Sequence, residues 1–294
     1  MIRPQAVTRG VRDVRHVDAF AARTPTLPPA THTNSYALGG SEVLLVEPAT
    51  PYEDERREWL AWARGLAAQG RKVVAIAVTH HHADHVGGAR FFASELGVPV
   101  WAHAEAASRL GDVPIARRLA DGDVVRLGGP EPMAIRVLHT PGHAPDHLCF
   151  LDEAQGVLVC GDMVAGVGTI LIDPREGDMA VYLAQLERLA ALGARVALPA
   201  HGGPIDAPEE LFRRYIAHRL GREQRVVAAL EAASEGGAGG ATLDGLLPVA
   251  YADTAPLLWP LARLSLEAHL IKLEREGRAV RRDDRWRRAA GGGG

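Results

Sequence analysis

The sequence predicts an α/β domain followed by a small appended module. Three observations carry this. Short apolar runs at 73–78, 133–138, 157–159 and 196–198 suit buried strands, and each ends at a loop. Other stretches repeat apolar residues at helical spacing. A Gly-rich segment, 234–241, then reads as a linker by composition.

The elements follow in order. Glu53-Asp54-Glu55 places acids in a first helical turn, where the positive end of the helix dipole favours them, and Trp59, Trp62 and Leu66 share a face. Asp178 suits an N-cap for a helix with the stripe Met179, Tyr182, Leu183, Leu186 and Leu189. Phe212, Tyr215, Ile216, Val226, Val227 and Leu230 line a long helix from about 207 to 233. Beyond the linker, Leu257, Leu261, Leu264, Ala268 and Ile271 mark a helix ending before Gly277. The turn Asp283-Asp284 between two short Arg-rich arms in 278–288 reads as a hairpin. The expected division is a larger unit, 1–235, and a smaller one, 242–290.

Composition narrows the class. With 294 residues, 47% of them hydrophobic, the chain can build a large core. A formal charge of −3 gives no overall pull toward nucleic acid or anionic membrane. Cys149 and Cys160, the two cysteines, fall in expected strands and read as small buried apolar residues. No disulfide framework is expected, which suits a reducing cytoplasm. Met1-Ile2-Arg3-Pro4-Gln5 lacks an apolar signal segment, and no run has the length of a membrane span. Gly291–Gly294 reads as a flexible tail.

The chemistry concentrates after the 73–78 run. There His80-x-His82-x-Asp84-His85 packs four metal ligands into six residues, followed by Val86-Gly87-Gly88. Imidazole and carboxylate are the ligands zinc takes. Three later strand ends add His143, Asp162 and His201. Seven ligands, one of them a carboxylate able to bridge, fit a two-metal site.

These ordered motifs resemble those of the metallo-β-lactamase fold superfamily over roughly 30–235. The resemblance implies a four-layer αββα sandwich and two Zn2+ per chain. It implies that His80, His82 and His143 hold the first metal, that Asp84, His85 and His201 hold the second, and that Asp162 bridges. Within the superfamily the chain is most similar to the branch containing lactamase-beta-like protein 2, a mitochondrial single-strand endoribonuclease. The supporting residues are Thr33-Asn34-Ser35-Tyr36, His139-Thr140-Pro141-Gly142-His143, Gly166-Val167-Gly168-Thr169, Tyr215-Ile216-Ala217-His218-Arg219 and Arg222-Glu223-Gln224. That branch also carries a winged-helix-like C-terminal segment. One departure stands out: Val46-Glu47-Pro48-Ala49 puts Glu47 where the family has Asp, as a loop support.

The expected reaction is metal-dependent hydrolysis. Water on one zinc has a pKa of about 7 instead of about 15.7, so a bridging hydroxide is the nucleophile and Asp84 the group that orients it and takes its proton. Esters, thioesters, lactones and β-lactams are open as small-molecule substrates, with single-stranded RNA as the alternative and iron-dependent persulfide oxygenation as another. A DNA-binding regulator would not need seven intact ligands. The six arginines of 278–288, with Trp286, could hold a phosphate backbone or serve a homodimer contact. Strand alternation would point His81 away from His80 and His82. His139 and His147 are expected to orient ligands or pack. His32 and Asn34, ahead of the second strand, could line the cleft mouth. His16, His103, His218 and His269 read as ordinary surface or core residues.

Overall fold

Seven strands form the first sheet of the computed structural model, which describes residues 7–8, 14–235 and 239–289. They are β1 (Val7–Thr8), β2 (Val17–Arg23), β3 (His32–Leu38), β4 (Glu42–Val46), β5 (Lys72–Ala77), β6 (Val100–His103) and β7 (Ile115–Leu119), paired in sequence order. The β1–β4 pairings are antiparallel and the β4–β7 pairings parallel. The second sheet runs β12-β11-β10-β9-β8, from β8 (Val124–Leu127), β9 (Met133–His139), β10 (Leu148–Asp152), β11 (Val157–Gly161) and β12 (Val196–Pro199). Both sheets are mixed, as β11 and β12 pair in parallel.

The layers follow from which faces are apolar. Leu44, Val46 and Ala75 of one sheet meet Ile135, Val137, Phe150 and Val159 of the other in a buried core between the sheets. The outer face of the first sheet packs on Trp59, Ala63 and Leu66 of α1 (Glu53–Ala68), with Phe92 of α3 (Ala89–Leu96); α2 (Ala83–Val86) is the short turn between them. The outer face of the second sheet packs on Tyr182, Leu186 and Leu189 of α4 (Met179–Ala190) and Phe212 of α5 (Pro208–Glu235). With both faces covered, β10 and β11 are buried along their whole length, which is why they read as unbroken apolar runs. Asp178 caps α4 by accepting from the backbone N–H groups of Ala180 and Val181. This is the αββα sandwich.

The C-terminal unit has a separate core. The far half of α5, through Val226 and Leu230, packs on Leu246 and Leu247 of α6 (Leu243–Ala250), on Leu266 and Leu270 of α7 (Trp259–Arg275), and on Trp286. The hairpin of β13 (Ala279–Arg282) and β14 (Arg285–Arg288) turns at Asp283-Asp284. Of the expected apolar stripe on the preceding helix, Ala268 is buried and the other four residues are corrected. Leu257 lies in a 3-10 turn before α7 and is 89% exposed, while Leu261, Leu264 and Ile271 are only partly buried. The buried face is Ala262, Leu266, Leu270 and Leu273, because the helix starts at Trp259 and turns a neighbouring row inward. Of the expected linker, 236–238 lie outside the described residues, as do the closing glycines 291–294.

Candidate metal centre

The seven candidate ligands all follow strand ends, on both sheets. Past β5 the chain runs His80 to His82 in extended form and then turns into α2, whose first turn carries Asp84 and His85. His143 follows β9, Asp162 follows β11 and His201 follows β12. The parallel register Gly161↔Pro199 sets the last two loops side by side. Gly161 has φ +48°, and a Cβ there would lie 2.6 Å from His147 Nε2, so glycine alone fits this turn.

Three nitrogens converge on one point. His80 Nε2 is 2.9 Å from His82 Nδ1, and His143 Nε2 is 3.3 Å and 3.1 Å from these two. Nitrogens sharing one tetrahedral zinc at about 2.0–2.1 Å would stand roughly 3.3 Å apart, so the set fits such an ion. Beside it, Asp84 Oδ2 lies 3.7 Å from His85 Nε2 and 3.5 Å from His201 Nε2. Asp162 spans both groups: Oδ2 is 3.7 Å from His143 Nε2 and 3.6 Å from His85 Nε2, and Oδ1 is 3.4 Å from His201 Nε2. That Oδ1 is buried without a hydrogen-bond partner, as a carboxylate oxygen reserved for a cation would be.

Four of the five imidazoles are held from behind by their other nitrogen. His80 Nδ1 is 2.9 Å from Thr79 Oγ1, His143 Nδ1 is 2.8 Å from the Leu171 carbonyl, and His201 Nδ1 is 2.9 Å from the His32 carbonyl. His82 Nε2 is 2.8 Å from Glu176 Oε1; His85 Nδ1 lies 3.2 Å from Glu47 Oε1 without hydrogen-bond geometry. Such outer partners fix tautomer and ring direction. Glu47, fully buried at φ +65°, accepts from the Thr79 hydroxyl, since the Val46↔Ala77 register brings the two strand ends together. It is the loop support its position suggests.

Burial, reinforced by neighbouring histidines, holds His80 well below its ordinary value. Burial likewise takes His143 down to about 4, so both nitrogens keep their lone pairs near neutrality. His201 is pushed up to about 10, because Asp162 and Asp84 outweigh the opposing effect of burial. A cation seated among these groups takes the place of that proton. Burial opposes ionisation of Asp84 and Asp162 too, yet the nearby His85 keeps both well below the usual carboxylate range.

The remaining histidines divide. His147 accepts from the Asp162 N–H at 3.1 Å and meets Thr140 Oγ1 at 2.8 Å, so it orients the Asp162 loop. His139 packs, stacked on His103 with centroids 4.0 Å apart. His81 lies past the strand end; it contacts Asp146 and Glu176 and, with His82 and Glu176, forms a further group that could hold a cation. His32 and Asn34 stand within β3, ahead of the strand that ends at Val46. Asn34 does not line the mouth, because its amide donates to the Pro199 and Gly202 carbonyls at 3.0 Å and 2.8 Å and steadies the His201 loop. His218, read as ordinary, lines the cleft. Glu176 was invisible in the sequence, since nothing marks a loop acid 94 residues from the histidine it touches. Cys149 and Cys160 are buried free thiols, the former pushed up to about 12 by burial, and among the described residues neither joins a candidate metal group.

The centre opens into a cleft of about 860 Å³. Its apolar walls include Leu27, Val167 and Ile170 from the larger unit and Leu258, Leu261 and Ala262 from the smaller one. On α5, Tyr215 and Arg219 line it as well, and their outer atoms hold the loop that forms its wall: Tyr215 Oη accepts from the Ala165 N–H, and Arg219 donates to the Ile170 carbonyl.

A sequence profile of the metallo-β-lactamase superfamily matches residues 28–201, which span all seven ligands. The chain belongs to this superfamily. As a metallo-β-lactamase-fold hydrolase, it carries the divalent-metal-binding scaffold of the family. Residues 242–286 match the β-lactamase-associated winged helix domain, so the C-terminal helices and hairpin are a winged helix. The atrochrysone carboxyl ACP thioesterase of Aspergillus fumigatus is 29% identical, covering 77% of this chain and 70% of its own. The beta-lactamase-like protein 2 homolog of Drosophila melanogaster is 28% identical, over 84% and 83%. A solved metallo-beta-lactamase family protein from Thermus thermophilus superposes with TM-score 0.71 at 29% identity, covering 92% of this chain and 98% of that one. Among the described residues no helix of this hydrolase is long and apolar enough to cross a membrane.

Proposed function

We propose that this chain is a dinuclear zinc hydrolase of acyl thioesters and related small esters. In this reading residues 1–235 form the catalytic unit and 242–290 a wall of its cleft. His80, His82 and His143 hold one ion, Asp84, His85 and His201 the other, and Asp162 bridges. Bound there, two zinc ions supply a water that ionises near neutral pH and an electrophile for the acyl carbonyl. Asp84, kept ionised, would be placed to orient such a water and take its proton. His147, through the Asp162 N–H, keeps the bridging carboxylate aimed. Nothing requires a second copy of the chain, because all seven ligands come from one. The two buried thiols suit a cytoplasmic setting.

The observation carrying the substrate class is the cleft. Leu27, Val167, Ile170, Leu258 and Leu261 give it apolar walls beside the charged Glu176, Arg219 and Arg222, and no arginine of the 278–288 hairpin lines it. An acyl chain gains by leaving water there, at about 25 cal/mol per Å² of apolar surface buried. The thioesterase relative adds support. Single-strand RNA cleavage is the second reading, favoured by the lactamase-like protein 2 relative and by Arg214 and His218 at the cleft. Persulfide oxygenation, which needs one iron, leaves Asp84 and His201 without a task. The metal-loaded protein is to be assayed against acyl thioesters, a chromogenic ester, a lactone, a chromogenic β-lactam and single-stranded RNA. Thioester turnover that a chelator abolishes is the expected result; metal-dependent RNA cleavage with no acyl hydrolysis would replace this reading by the second.

A further inference from the structure

We propose that Glu176, backed by His81 and Asp146, is a positioning residue for the histidine-only cluster, setting the tautomer and aim of His82. The inference rests on the two-metal reading above. Four side chains form a line. Asp146, buried, has Oδ1 2.7 Å from His81 Nδ1. His81 Nε2 is 2.9 Å from Glu176 Oε2, and the other oxygen of Glu176 is 2.8 Å from His82 Nε2. His82 Nδ1 then faces the nitrogens of His80 and His143.

An ionised carboxylate only accepts hydrogen bonds, so contact with Glu176 places the His82 proton on Nε2 and leaves the Nδ1 lone pair directed into the cluster. Of the three, His82 alone rests on a side-chain carboxylate. The outer nitrogen of His80 meets the Thr79 hydroxyl just past β5, and that of His143 meets the Leu171 backbone carbonyl at the start of the loop that carries Glu176. The outer nitrogen of His82 meets a side chain from the 171–178 loop. That loop is shaped locally, with the Glu176 and Gly177 N–H groups donating to the Asp173 carbonyl at 3.2 Å and 2.7 Å. It is tied back to the His143 loop by the Asp178 N–H donating to the Gly142 carbonyl at 2.8 Å. His81, past the strand end, holds the second oxygen and stops the Glu176 carboxylate from swinging into the cleft it lines.

The full-length protein, stripped of metal, is titrated with zinc against a chromogenic chelator, and with cobalt while its visible spectrum is followed. For Glu176→Ala, one of two zinc ions should bind about 10–100-fold more weakly and the other as in wild type, the usual cost of losing an outer-shell partner. Its metal-free melting should match wild type, and the cobalt spectrum of the weakened site should change, which a merely structural role would not produce. Glu176→Gln retains an acceptor oxygen and should recover part of the affinity; His81→Gln should give a smaller loss at the same ion. If Glu176→Ala does not fold, the Gln variants decide. Unchanged affinity at both ions, or equal weakening of both, overturns the inference. A wild type that binds fewer than two ions overturns the two-metal reading itself and this inference with it.

Discussion

Two stretches of this chain concentrate one residue type, and the fold treats them in opposite ways. In 79–85, His80, His82, Asp84 and His85 converge with side chains from three distant loops, with His80 and His82 braced from behind. In 278–288 the arginines disperse. Arg278 pairs with Glu223 and Glu276, Arg288 with Glu231, Arg285 donates to the Gly240 carbonyl, and Arg281 lies over the Trp286 ring. The first stretch aims at one volume shared by both sheets; the second fastens the winged helix to α5 and to itself. Density along the chain is therefore weak evidence for a site, and convergence in space is stronger.

The comparison can be broken most forcefully at Asp162. Asp162→Ala should lower the metal content of the pair, measured by elemental analysis, and depress turnover more than any other single change. Asp84→Asn keeps shape and should cut turnover by roughly two to four orders of magnitude with little change in melting, as befits loss of acid–base work. Near-wild-type rates would remove Asp84 from the centre. Gly161→Ala forces a side chain onto His147 and should destabilise by about 1–3 kcal/mol in denaturant titration.

The effects expected in the second stretch are smaller. Burial opposes ionisation of Glu223, but His269, Lys272 and Arg278 outweigh it and hold the carboxyl down at about 2. Its folded value is thus depressed, so its contribution is present above the ordinary carboxyl range and lost as pH falls toward 2. Glu223→Gln should flatten that acid limb of the melting curve. Arg281→Ala with Arg285→Ala should leave ester turnover within about twofold and its salt dependence shallow. A steep salt slope on RNA that these changes flatten would mean the hairpin also serves a substrate.

The seven-residue pattern was legible because each group of ligands follows an apolar run across a short loop, and strand ends hold direction. Glu47 was legible as a support because it stands where the resembling family has an Asp. Glu176 was not, since its loop has no periodicity and its contact is long-range. The α7 stripe misled because that helix has apolar residues on two faces: one packs on α5, and the other, through Leu261, lines the cleft. Position ahead of a strand misplaced Asn34, whose amide serves two carbonyls of the His201 loop instead of the mouth.

The ligands come from both sheets: His80, His82, Asp84 and His85 extend from the first, His143, Asp162 and His201 from the second. Ions bound to both sets would act as a clasp across the seam of the sandwich. They would engage both sets only when the two sheets sit in their native register, whereas an unfolded chain offers only the contiguous 80–85 run. Their presence would shift the folding balance by up to about 2.7 kcal/mol at a hundredfold excess over the dissociation constant, less whatever the unfolded run binds, and melting followed against free zinc reads that shift. Catalytic readiness and mechanical closure of the sandwich would then fail together when metal is scarce.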